Sequence, residues 1–67
     1  MKHIGEKIKT RRNELGITQQ ELADLTGVSI NTIVAVERGI GNPSLSTLMA
    51  LLDALGLELH CELKVMD

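Results

Sequence analysis

Of the residue types that most often do chemistry, this chain of 67 residues carries two histidines, His3 and His60, one cysteine, Cys61, and no Trp, Tyr or Phe. A nucleophile or general base needs partners that converge on one pocket. His60 and Cys61 are adjacent in a segment of alternating residues, which sends their side chains to opposite faces, and no C-x-x-C or H-x₃-H pair is present to hold zinc. The glycines are spaced as helix terminators and not as a phosphate-binding loop. Neither an enzyme nor a cofactor nor a metal site is expected. Without aromatic rings there is also no stacking platform for single-stranded nucleic acid. Hydrogen-bonding side chains also occur together in two short stretches, Thr18-Gln19-Gln20-Glu21 and Ser29-Ile30-Asn31-Thr32. Asn31 can exchange the paired bonds that adenine N6 and N7 offer in a major groove. Ser29 and Thr32 can reach bases or phosphates, and Ile30 and Ala35 can touch thymine methyls.

These groups must be positioned by short helices. Thr18-x-x-Glu21 has the capping-box form, in which each side chain satisfies a free backbone N–H of the other residue. It opens a helix from Thr18 to Thr26 with Leu22, Ala23 and Leu25 facing inward, and Gly27 ends it. Ser29 caps a further helix through Glu37, stopped by Gly39. Ile33 and Val36 face inward there, which leaves Ser29, Ile30, Asn31, Thr32, Val34 and Ala35 on the outer side. Ahead of this pair, Ile4, Ile8 and Leu15 mark a helix over roughly 4–15, with Arg11 and Arg12 where the next apolar turn should fall and Gly16 as its stop. Behind it, Ser44 caps a fourth helix carrying Leu45, Leu48, Met49, Leu51, Leu52 and Leu55, more than one core-facing stripe requires. The period then changes to two. Leu57, Leu59, Cys61, Leu63 and Val65 alternate with Glu58, His60, Glu62, Lys64 and Met66, which predicts one strand. A lone strand does not persist in water, so the same strand of a second copy, antiparallel about a two-fold axis, is its expected partner.

Composition sets the frame. The net charge is −2, yet residues 1–16 are net positive through Lys2, Lys7, Lys9, Arg11 and Arg12, and both later stretches are net negative. The longest apolar run, Leu48 to Leu52, is far short of the roughly 20 residues that span a bilayer. With one cysteine and no apolar leader, a cytoplasmic protein is expected. A chain this small sits near the limit for burying a core unaided, which again favours a dimer.

Two helices joined by a Gly-containing turn make a helix-turn-helix on spacing alone. The residues Leu15-Gly16-Ile17-Thr18-Gln19, Glu21-Leu22-Ala23, Gly27-Val28-Ser29, Ile33, Glu37, Gly39, Asn42-Pro43-Ser44-Leu45 and Ala54-Leu55-Gly56 go further. Over about residues 4–56 they resemble the Cro and phage-repressor (xenobiotic-response-element) helix-turn-helix family. The ending, a helix followed by Leu57 to Val65, is similar to HipB-like antitoxins.

The resemblance implies that the second of the paired helices lies in the major groove while the first crosses the backbone. It places contacts at Gln19 (against a phosphate), Ile30, Asn31 and Ala35, with Arg38, Asn42 and Thr47 flanking the groove; together with Thr18, Ser29 and Thr32 these make the expected DNA-facing set. Family members often carry long polar residues where this chain has Ile30 and Ala35, so part of the specificity is expected from DNA shape. The family pattern also pairs Arg12 with Glu37 in a largely buried ion pair, and leaves Arg11 to solvent or phosphate.

The expected protein is all-α, a four-helix lambda-repressor-like helix-turn-helix domain over 1–56 with a dimerising β-strand over 57–67. Its expected dimer interface comprises Leu51, Leu55, Leu57, Leu59, Cys61, Leu63 and Val65. The expected function is sequence-specific binding of double-stranded DNA as a repressor, of the antitoxin type if the second resemblance holds, with a toxin as further partner. The rival is a protein-interaction module that uses the same fold to hold a toxin or other regulatory partner, a reading the net acidity favours.

Overall fold

The computed structural model describes residues 2–65; Met66 of the predicted alternation, with Met1 and Asp67, lies outside them. Four helices follow one another: α1 Lys2–Glu14, α2 Gln19–Thr26, α3 Ile30–Glu37 and α4 Leu45–Ala54. The starts of α2, α3 and α4 are those the capping residues predict, whereas α1, expected over roughly 4–15, begins two residues earlier. The Thr18 hydroxyl accepts from the Glu21 N–H while the Glu21 carboxylate accepts from the Thr18 N–H, each at 3.0 Å. Ser29 accepts from the Thr32 N–H and Ser44 from the Thr47 N–H. The stops are equally local: Gly16, Gly27, Gly39 and Gly56 each take a left-handed backbone that a side chain would strain.

α3 is central, packed by α1 and α2, and α2 also meets α4. The core consists of Ile8, Leu22, Ala23, Ile33, Val36, Leu48, Leu51, Leu52 and Leu55, with Ile4, Ile17, Val28 and Leu57 packed against it. Each fully buried Leu or Ile side chain contributes about 1.5–3 kcal/mol relative to exposure. α1 adds little apolar area, since Gly5, Ile8 and Arg12 are its buried residues. It is fastened instead by close approach. Gly5 lies against the α3 backbone so tightly that a Cβ there would overlap the Val36 carbonyl oxygen. Gly5 is therefore a packing glycine inside a helix and not a terminator.

Several inward and outward assignments change. Leu25 is 68% exposed, because the packing of α2 on α3 and α4 buries only Leu22 and Ala23 of its stripe, and Leu15, just past the end of α1, is exposed too. Leu51 and Leu55, expected at a dimer interface, are fully buried in the chain's own core. The crowded helix places Leu48, Leu51, Leu52 and Leu55 inward, and its outward surplus is Leu45 and Met49, one turn apart.

Among the described residues no strand forms, because residues 57–65 find no partner within the chain for a hydrogen-bonded ladder. Leu57 packs on the core. Cys61 is exposed, and so are Leu59, Leu63 and Val65, the last two at 97% and 92%. No helix of the described residues is long and apolar enough to cross a membrane.

Candidate nucleic-acid interface

The α2–α3 turn is built from three local bonds. The Gly27 N–H reaches the Ala23 carbonyl (2.9 Å), the Thr26 hydroxyl donates to the Leu22 carbonyl (2.7 Å), and that hydroxyl accepts from the Val28 N–H (3.2 Å). Val28 tucks onto the core and Ser29 restarts the helix. α3 is thereby fixed in rotation. Ile33, Val36 and Glu37 are buried, while Ile30 and Asn31 are exposed and Thr32, Val34 and Ala35 half-buried. Thr32 shares a hydrogen bond between hydroxyls with Ser29 (2.9 Å).

Behind this face lies a compact polar knot. Arg12 is bidentate to Glu37: Nε donates to Oε2 at 2.7 Å and Nη2 to Oε1 at 3.0 Å. Its third donor, Nη1, reaches the Ile17 carbonyl at 2.8 Å. The hydrogen bonds it donates to Glu37 hold the guanidinium pKa above its ordinary value; burial opposes this and the carboxylate charge reinforces it. The expected buried ion pair is present.

Gln19 joins the same knot, its Nε2 donating to Glu37 Oε1 at 3.1 Å. One carboxylate thus ties α1, the first turn of α2 and the end of α3 together. Sequence reasoning placed Gln19 on a phosphate and did not foresee this bond. Arg11 also differs from expectation. Its Nε donates to the Leu55 carbonyl at 2.9 Å, satisfying an orphan acceptor at the end of α4, and Nη1 lies 3.8 Å from Glu14.

On the outer side, α3 and the loop 40–43 enclose an open hollow of about 290 Å³. It brings together Asn31, Thr32, Ala35 and Asn42 of the predicted set, and adds Ile40. Thr18 and Gln19 sit apart from it at the start of α2, Ser29 and Ile30 at the start of α3, and Arg38 is exposed at its C-terminal end. Thr47 is half-buried in the first turn of α4. Ile40 was not singled out from the sequence. The available signal was a large apolar residue directly after the terminating Gly39.

The chain belongs to the helix-turn-helix family, whose pattern it matches over residues 8–60. It is 47% identical over 55 residues to an uncharacterised HTH-type transcriptional regulator of Methanothermobacter thermautotrophicus, covering 82% of this chain and 78% of that one. It is 42% identical over 55 residues to the immunity repressor protein of Bacillus phage phi105, covering 82% of this chain and 38% of the phage protein. To the HTH-type transcriptional regulator DdrOP3 of Deinococcus deserti it is 33% identical over 55 residues, 82% of this chain and 43% of the relative. The match therefore spans less than half of the last two proteins. The family is one of non-enzymatic DNA-binding regulators.

Proposed function

We propose that this chain is a sequence-specific, double-stranded DNA-binding transcriptional regulator that represses by occupying its operator. The observation that carries this reading is the outer face of α3: Asn31 exposed, Ala35 and Thr32 beside it, and the helix locked from behind by the Arg12–Glu37 pair. A rigid helix offering one amide and small apolar contacts suits a major groove better than it suits a catalytic pocket. Thr18, Gln19, Ser29, Arg38 and Asn42 surround that face as phosphate or sugar contacts, which orient the protein without reading sequence. Gln19 keeps a second N–H and its carbonyl oxygen for this purpose after bonding Glu37.

The reading includes a homodimer. Residues 1–56 supply the DNA-binding domain, and the segment 57–67 pairs with the same segment of a second copy through Leu59, Cys61, Leu63 and Val65, Leu57 being held by the chain's own core. The exposure of Leu63 and Val65 in the single chain supports this. Two recognition helices then sit about 34 Å apart on a palindromic operator. The antitoxin version, with a toxin as partner, rests on the tail alone. None of the three relatives described above bears such a name.

The test is selection of the purified protein against a random duplex library at near-physiological salt, followed by sequencing. An enriched inverted repeat with half-site centres about one duplex turn apart is expected. Folded protein that enriches nothing overturns the DNA reading in favour of a protein-interaction module.

A further inference from the structure

Three of the four described helices end in the same backbone figure. After α1, α3 and α4 the chain turns left-handed at Gly16, Gly39 and Gly56. The next residue's N–H then reaches back five positions: Ile17 to Arg12 (3.2 Å), Ile40 to Ala35 (3.0 Å) and Leu57 to Leu52 (2.8 Å). The residue so placed is commonly apolar and commonly folds back onto its own helix. Ile17 and Leu57 do so and pack against the core. Ile40 does not. It is 52% exposed, on the wall of the hollow that also holds Ala35, Asn31 and Asn42.

One exposed isoleucine alone means little; its mounting is what matters here. The Gly39 and Ile40 N–H groups bond the Val36 and Ala35 carbonyls, both at 3.0 Å, so the backbone of Ile40 is an extension of α3 and not a free loop. Its β-branched side chain is stiff at χ1. Gly41, left-handed in turn, brings the loop back beside Ala35, where a Cβ on Gly41 would stand 3.6 Å from the Ala35 methyl. A residue larger than Ala at position 35 would project into the hollow.

An A·T pair presents to the major groove an acceptor, a donor, a second acceptor and the thymine 5-methyl, whereas a G·C pair presents no methyl. An amide beside a fixed apolar wall is complementary to that pattern. Resting on the DNA-binding reading above, we infer that Ile40 and Ala35 form a preset wall for the 5-methyl group of a thymine adjoining the base pair read by Asn31. Sequence readout is then shared between the recognition helix and the loop that follows it.

The test uses the duplex selected by the intact protein. Each thymine is replaced in turn by deoxyuridine, which deletes the methyl and leaves every hydrogen-bonding group in place. Binding is measured for the wild type and for Ile40→Ala at one salt concentration, with thermal melting to verify that the variant is folded. One thymine per half-site is expected at which deoxyuridine weakens the wild type about fourfold, the worth of one buried methyl. The same replacement should leave Ile40→Ala unaffected. Equal sensitivity of both proteins at every thymine overturns the wall and leaves the DNA reading intact. So does an Ile40→Ala protein that binds like wild type, or one whose defect is a loss of self-association. Failure of the wild type to select any duplex overturns the DNA reading, and the wall with it.

Discussion

Replacing Arg12 by Ala tests the knot behind the recognition helix, and its magnitude follows from the contacts. Arg12 makes three hydrogen bonds, two to Glu37 and one to the Ile17 carbonyl. The Glu37 side chain is 2% exposed, and without Arg12 its one remaining side-chain donor among the described residues is Gln19, at 3.1 Å. Removing one partner of such a pair costs about 3–5 kcal/mol, chiefly because the other charge stays buried. A domain of this length has roughly 3–10 kcal/mol in total, at about 0.05–0.15 kcal/mol per residue. Arg12→Ala should therefore lose from about a third to all of the stability of the domain. With no Trp or Tyr in the chain, the assay is urea titration followed by far-UV circular dichroism, at fixed protein concentration because self-association would shift the midpoint. Arg12→Met combined with Glu37→Leu removes both charges and should recover most of the lost stability. A loss of less than about 1 kcal/mol in Arg12→Ala, as an exposed pair would give, would refute the reasoning. So would a double variant no more stable than the single one.

Other perturbations separate the remaining roles. Gly5→Ala introduces a better helix former yet should lower the melting temperature, because α1 must move off the Val36 carbonyl at a cost of about 1–3 kcal/mol; an unchanged or higher temperature in a thermal melt contradicts that packing. In competition binding, Asn31→Ala should relax preference at one base pair by about 1–3 kcal/mol, whereas Gln19→Ala should weaken all duplexes alike. Identical profiles for the two variants count against the division between reading and positioning. Leu51→Ala should cost about 2–5 kcal/mol in urea, while Leu63→Ser should stay within about 0.5 kcal/mol at low concentration and instead weaken the dimer in sedimentation equilibrium. A Leu63→Ser protein as dimeric as wild type removes the tail from the interface.

What the sequence makes legible is what depends on a few neighbouring residues. The caps at Thr18, Ser29 and Ser44 and the stops at Gly16, Gly27 and Gly39 each require a side chain or a φ value within one turn, so four helices can be placed to within about two residues. The Arg12–Glu37 pair was legible only through the family resemblance, since 25 positions separate the partners. Decisions made between helices were not legible. Leu25 and Leu55 look alike as members of apolar stripes, yet the packing of the helices exposes one and buries the other. Gly5 has the composition of a helix breaker, and only the approach of α3 reveals its use. Arg11 has the appearance of a solvent-facing charge until the end of α4 brings the Leu55 carbonyl to it. The tail shows the opposite error: a period of two states a preference for extended backbone, while a strand also needs a second edge that one chain does not provide.

α3 has eight residues, and its duties divide cleanly by side. Ile33, Val36 and Glu37 hold the fold, whereas Ile30, Asn31 and Ala35 touch none of the groups that fasten the helix from behind. The outward positions can therefore vary almost independently of thermodynamic stability. On the DNA-binding reading proposed above, a lineage carrying this scaffold can acquire a new target through substitutions at three or four surface positions without first evolving compensatory changes in the interior. The same separation allows an engineer to randomise that face and screen for altered operators, with the Arg12–Glu37 knot left as the invariant chassis.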